Sequence, residues 1–261
     1  MVKKATQQIY LFLTFVFLYS PILLLILFSF NESRSRSSWG GFTLRWYAEM
    51  FRDRQIISSF GYTIAIALLS AAAAAILGTF AALGLDAMRR KYRSITMSVV
   101  YIPVLNPDIV TGISLMLLFL FFRLRMGFLS MLLAHISVNT SYVILSVLPR
   151  LSRINRHLYE AALDLGARPF RAYTQVLLPE IAPGIFTGAL LAFTLSLDDF
   201  VISFFTSGSG VTNLSITIYS MARRGINPRI NALSTLLFIA VLVLLIIVNR
   251  KMRAGEKEKK I

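Results

Sequence analysis

EAALDLGARPFRAYTQVLLPEIAPG, residues 160–184, is a polar stretch between two strongly apolar ones, and it is too long for a simple turn. From residue 156 to 165 nothing breaks a helix, and Leu158, Ala161, Ala162 and Leu165 share one stripe. Gly166 supplies the φ > 0 position that closes a helix. Pro169 suits the first turn of a following helix, where its missing N–H would be unpaired anyway. Pro179 and Pro183 are expected to stop that second helix and open the next apolar segment. The pattern predicts two short helices joined at a sharp glycine bend, lying at a membrane surface. An interfacial connector between spans would read the same way, so periodicity alone leaves both roles open.

The membrane reading comes from the rest of the chain. Of 261 residues, 56% are hydrophobic and 15% charged, too apolar for a water-soluble core. Cysteine is absent, which excludes disulfides, thiolate catalysis and Cys-based metal sites. The formal charge is +15, but Lys and Arg fall between apolar runs as in membrane proteins, which argues against nucleic acid. A spanning helix needs about 20 mostly apolar residues. Six stretches are read as spans: residues 9–30, 60–85, 95–122, 127–148, 183–205 and 233–248, the last short and little tilted. The first follows Lys3 and Lys4 as a signal peptide would. Its apolar run is longer than an h-region, however, and no A-x-A site follows, so it reads as a retained anchor.

With both termini in the cytoplasm, 17 of the 27 Lys and Arg lie inside and 10 outside, the orientation the positive-inside bias favours. Arg34, Arg36, Arg45, Arg52 and Arg54 load the first outer loop against it. The expected class is an all-α integral membrane protein with six transmembrane helices and cytoplasmic termini. Its expected organisation is an N-terminal helix and periplasmic loop (1–55), a transmembrane domain (56–250) containing the polar loop 150–180, and a basic cytoplasmic tail (251–261).

Glu160-Ala161-Ala162, three residues, Gly166, nine residues, then Val176-Leu177-Leu178-Pro179 resembles the EAA motif (EAA-x3-G-x9-I-x-LP) of ABC importer permeases. Spacing is kept throughout, with Val176 where isoleucine is usual. The resemblance implies a type I ABC importer permease fold in the bacterial inner membrane. It also implies that Glu160, Ala161, Ala162, Gly166, Leu178 and Pro179 couple to a separate ATP-hydrolysing subunit. Small side chains at Ala161, Ala162 and Gly166 permit close backbone approach. No G-x-x-x-x-G-K-[ST] phosphate loop occurs, so ATP and its Mg are expected on a partner, with no cofactor, metal or catalytic residue on this chain.

What crosses is read from charge at depth. A carboxylate inside a membrane costs about 2.5–3.5 kcal/mol and marks a functional site by default. Asp108, Asp198 and Asp199 fall well within the spans. At about 1.5 Å per residue, Asp108 lies ~21 Å beyond Ser94 and Asp198 ~22 Å beyond Pro183, placing two spans' carboxylates at one level. On a continuous helix Asp198 and Asp199 would point about 100° apart, so one of them is expected to face the path. No Lys, Arg or His in the same stretches is placed to neutralise them. Pro103 and Pro107 break the third span and free carbonyls beside Asn106, and irregular backbone at this depth lines a cavity or is buried in protein. Ser196 and Ser203 add small polar groups. An acceptor-rich path suits a cation with many N–H donors; the alternative is that these aspartates pair with a partner subunit or sit protonated. In the outer loop, Trp46 and Tyr47, near Trp39 and Phe42, could meet a cation's ammonium groups or form an interfacial aromatic belt.

Tyr19-Ser20-Pro21-Ile22, Ser29-Phe30-Asn31-Glu32-Ser33, Gly41-Phe42-Thr43, Asn106-Pro107-Asp108-Ile109-Val110 and Ser196-Leu197-Asp198-Asp199-Phe200-Val201 are similar to the PotC-type permease subunits of spermidine/putrescine importers, nearly end to end. That resemblance implies a heterodimer with a homologous PotB permease, two copies of a PotA ATPase, and a periplasmic polyamine-binding protein, PotD. Permeases of the same fold for other organic cations or ferric ion remain alternatives. So does a proton-coupled secondary transporter, though no clear internal repeat supports it. His135 reads as a packed histidine and His157 as a solvated or interface one. The run Ala71–Ala75 with Gly78 reads as close helix packing, and Ser207–Gly210 as a flexible outer loop able to meet the binding protein.

Overall fold

A proline inside a membrane helix leaves one carbonyl without its donor, and the first helix shows how that is met. In the computed structural model, α1 (Val2–Ser29) runs through Pro21, which cannot serve the carbonyl of Phe17; the Ser20 hydroxyl donates to that oxygen at 3.1 Å. The remaining helices are α2 (Arg45–Arg52), α3 (Arg54–Ala87), α4 (Arg90–Leu105), α5 (Asp108–Phe121), α6 (Phe128–Leu151), α7 (His157–Asp164), α8 (Pro169–Ala172), α9 (Leu178–Asp198), α10 (Val201–Thr206), α11 (Leu214–Arg223) and α12 (Pro228–Glu258). A π-helical turn, Tyr173–Leu177, joins α8 to α9. The structure describes residues 2–34, 38–154, 157–224 and 228–258. Arg36, Arg156 and Lys259–Ile261 lie outside these, as do the side chains of His157 and of the basic tail.

Among the described residues, four helical stretches are long and apolar enough to cross a membrane: Thr6–Ser29, Arg54–Ala87, Phe128–Leu151 and Pro169–Asp198. A fifth span is possible if α4 and α5, bent by 109° at their break, count as one. The apolar part of α12 is shorter, Pro228–Val243.

The chain divides into two units, one formed by Met1–Ser58 with Thr217–Ile261, the other by Ser59–Ile216. In the first, α1 and α2 pack against α12. The loop after α1 is held by Asn31, whose side chain accepts from the Gly40 amide at 2.8 Å and donates to the Ser38 carbonyl at 2.9 Å. Asn31 and Phe42 form an isolated antiparallel bridge, with Gly41 at φ +115° allowing the return.

In the second unit, α3, α6 and α9 meet at one crossing. Gly78 and Gly188 both face Val143: a Cβ would come within 2.7 Å of its Cβ from Gly78, and within 3.0 Å of its Cα from Gly188. The buried core around this crossing is mostly small or branched, with Ala71, Ala74, Ile144, Val147, Ile181 and Ala192. Without water to drive association, such close contact and polar pins hold membrane helices together. The pins here are Ser70, Asn139 and Ser196, one from each helix: the Asn139 amide donates to Ser196 at 2.7 Å and to Ser70 at 3.2 Å, and the two hydroxyls meet at 3.1 Å. The alanine run is therefore a packing surface, as its composition predicts.

Two expected spans are interrupted. The third breaks into α4 and α5 at Asn106 and Pro107, as its prolines predict. The fifth does not run on from Pro183 to Phe205. Its helix begins earlier, because Pro179 and Pro183 do not stop it: the π turn shifts the hydrogen-bond register just ahead of Pro179, which enters in the first turn of α9 and needs no donor. It also ends earlier, at Asp198. Asp199 is extended at φ −59° and ψ 122°, and α10 starts afresh beyond it.

Candidate functional site

The break after Asp198 positions the site. The Asp199 carboxylate turns toward the new helix and accepts from the amides of Ser203 at 2.7 Å and Ile202 at 3.2 Å, capping α10 where backbone donors are free. Asn213 ties the corner, its amide donating to the Asp199 carbonyl at 2.7 Å and to Ser203 at 2.8 Å. Asp198 and Asp199 therefore do not sit 100° apart on one helix, as expected for a continuous span. They flank a corner, with Asp198 exposed and the Asp199 side chain largely enclosed.

A cavity of about 320 Å³ opens at this corner, lined by Asp108, His135, Asn139, Tyr142, Asp198 and Asp199 together with apolar neighbours. The 109° bend falls just ahead of Asp108, which lines the same cavity as Asp198. Among the described residues no basic side chain forms an ion pair with Asp108 or Asp198. Asp199 differs. His135, from α6, places Nε2 at 3.5 Å from Asp199 Oδ2. No basic residue of the same stretches is expected to neutralise these carboxylates; the partner of Asp199 comes from a different span. His135 is 4% exposed and packed, as expected, with Nδ1 at 2.8 Å from the Met131 carbonyl.

Ser196 and Asn106 do not line this cavity. Ser196 is buried in the Ser70–Asn139 pin, and Asn106 is an exposed residue closing α4 through its amide to the Ile102 carbonyl at 3.0 Å. Trp46 and Tyr47 belong to the other unit. The Trp46 indole N–H donates to the Asn31 carbonyl at 2.7 Å, the ring is 2% exposed, and Arg45 lies 5.6 Å over it. Tyr47 bonds Ser29 at 2.7 Å. These contacts build the loop and leave the Trp46 face to the chain's own arginine. Asn139 and Tyr142 were missed by sequence reading. With His135 they stand at i, i+4 and i+7 of α6, a polar stripe in an apolar helix, which was the available signal.

The polar hairpin has the expected glycine bend, but its second helix runs on through the π turn into α9. Gly166, at φ +85°, ends α7 with both bonds of a Schellman motif: its amide reaches the Leu163 carbonyl at 2.9 Å, and that of Ala167 reaches Ala162 at 3.0 Å. Pro169 opens α8. Leu165 and Phe170 project from the bend at 89% and 78% exposure, while Glu160 and Ala161 are also open. The loop Ser207–Gly210 is less free than expected, since any Cβ on Gly208 would overlap the Met126 carbonyl.

Residues 74–258 match the family described as binding-protein-dependent transport system inner membrane component. The putrescine transport system permease protein PotI of Escherichia coli K12 is 41% identical over 265 residues, covering 99% of this chain and 94% of that protein. The spermidine/putrescine transport system permease protein PotC of the same strain is 35% identical over 232 residues, covering 89% of this chain and 88% of that protein. In three dimensions the chain superimposes on a chain from the crystal structure of a bacterial ABC transporter that imports the acidic polysaccharide alginate. The TM-score is 0.81 at 13% identity, over 95% of this chain and 96% of that one. At that identity the likeness carries the fold alone. The chain belongs to the binding-protein-dependent transport system inner membrane component family, and is an all-α, multi-pass inner-membrane protein with the type I ABC importer permease fold.

Proposed function

We propose that this chain is a permease subunit of an ATP-driven importer that moves putrescine and spermidine from periplasm to cytoplasm by alternating access. The observation that carries the reading is the cavity beside Asp198, where two carboxylates have no basic partner among the described residues. Such a site favours organic cations with N–H donors and disfavours phosphate or sulfate. The names of the relatives supply the polyamine class. Asp108 and Asp198 would meet the ammonium groups, with the Tyr142 ring beside them.

Coupling would run through residues 160–179. A rigid bend with two apolar side chains outermost fits a groove on a separate ATPase, and the chain has no phosphate loop of its own. This role requires the hairpin, and with it both termini, to face the cytoplasm. Two ATPase copies, a second homologous permease and a periplasmic polyamine-binding protein complete the assembly. The test is uptake of labelled putrescine and spermidine in cells lacking this chain, with and without its restoration. Uptake returning only with the intact chain supports the reading; no difference, with the other components present, rejects the polyamine assignment and leaves the fold standing.

A further inference from the structure

Three carboxylates reach the cavity, but they are not equivalent. A backbone carbonyl can only accept, so the His135 Nδ1 that lies 2.8 Å from the Met131 carbonyl carries a proton. The other ring nitrogen, Nε2, is fully enclosed and has no hydrogen-bond partner among the described residues; its nearest charged atom is Asp199 Oδ2, 3.5 Å away. Both Asp199 oxygens accept from backbone amides, the arrangement of an ionised carboxylate. A bare Nε2 lone pair would face that negative oxygen from an enclosed position. A proton on Nε2 would remove the conflict and let His135 balance Asp199. Asp108 and Asp198, by contrast, are exposed and have no ion pair among the described residues.

We infer that the cavity offers a cargo two net negative charges rather than three, with His135 setting the count, and that the preferred cargo is a dication, a short alkyl diamine, over a trication. This rests on the polyamine reading above and deepens it. His135 is a positioning residue: it acts on selectivity through Asp199 and does not itself touch the cargo.

The experiment uses the assembled importer with its binding protein, comparing kcat/KM for putrescine and spermidine. Wild type is expected to favour putrescine. In His135→Gln the count rises to three, and the spermidine-to-putrescine ratio should climb by about tenfold, the scale of one added charge pair at moderate distance and effective dielectric. In His135→Gln/Asp199→Asn the count returns to two and the ratio should return toward wild type. Asn at 199 keeps an oxygen for capping α10. An unchanged ratio in the single variant, or a double variant that stays at the single variant's ratio, overturns the inference. If the single variant does not assemble, Asp108→Asn carries the test. It lowers the count to one and should narrow the preference for putrescine over singly charged N-acetylputrescine by about tenfold; no narrowing overturns the inference. Wild type that transports neither amine rejects the underlying polyamine reading, and is distinguishable from wild type that transports both with an insensitive ratio.

Discussion

Two clusters of carboxylates in this chain keep opposite company. In the first unit, Glu49 accepts from Arg45 at 2.7 Å and from Arg229 at 2.9 Å, while Arg229 also lies 3.6 Å from Asp53. Each acid there has a guanidinium, and the cluster fastens α2 to the start of α12. In the second unit, Asp108 and Asp198 have no such partner among the described residues, and Asp199 has one histidine and two amides. An exposed, paired acid contributes little and costs little. An unpaired acid at membrane depth costs about 2.5–3.5 kcal/mol, so the fold retains it only where something else needs the charge. The paired cluster builds structure; on the function proposed above, the unpaired one is left for a cation.

The largest expected effect tests that contrast directly. Asp198→Asn should lower putrescine uptake by at least about tenfold with the amount of assembled complex unchanged, because one full charge contact with the cargo is lost. Asp53→Asn, in the paired cluster, should leave uptake within about twofold. Equal losses from the two variants would break the comparison. Next in size comes the hairpin. Gly166→Pro forbids φ +85° and deletes the amide that bonds Leu163, so the bend must melt. Basal ATPase activity should remain while its stimulation by the loaded binding protein falls several-fold; full stimulation in that variant would remove the coupling role.

How much of this was legible without coordinates follows from the range of each interaction. The Gly166 bend and Pro169 start are local, set by backbone chemistry within a few residues, and the sequence shows them. Apolar run length gave the membrane class for the same reason. The corner at Asp199 was not visible, since it depends on a side chain turning back to cap the next helix and on Asn213, fourteen residues away. His135 beside Asp199 is a contact across more than sixty positions, so counting charges span by span could not pair them. Pro179 misled because a proline usually stops a helix, and the π turn that accommodates it has no clear sequence mark. Trp46 was read through its ring, while its indole N–H decided its place.

A smaller effect separates packing from path within the second unit. Asn139 both lines the cavity and pins Ser70 to Ser196. Asn139→Leu removes the pin, and interhelical hydrogen bonds in membranes contribute about 0.6–1.7 kcal/mol each. The variant should lose about 1–2 kcal/mol of stability, read as earlier loss of complex on heating in detergent, with the spermidine-to-putrescine ratio unchanged. A changed ratio would make Asn139 a cargo contact as well as a pin.

The smallest effect concerns the paired cluster itself. The hydrogen bond from Arg45 holds the Glu49 carboxyl below its ordinary range, against the opposing effect of desolvation and with help from the Arg229 charge. A folded-state value below the unfolded one means that the contribution is present above the ordinary carboxylate range and is lost as pH falls through the lowered value. Wild type and Glu49→Gln should therefore differ slightly in heat resistance at neutral pH and converge in acid. Added salt should shrink the neutral difference, since these groups are screened by water and ions. Asp108 and Asp198 predict the opposite: neutralising either should not lower heat resistance, because no ion-pair partner among the described residues is left bare. If Asp198→Asn destabilised the complex more than Glu49→Gln did, the unpaired acid would be structural after all, and the division between the two clusters would fail.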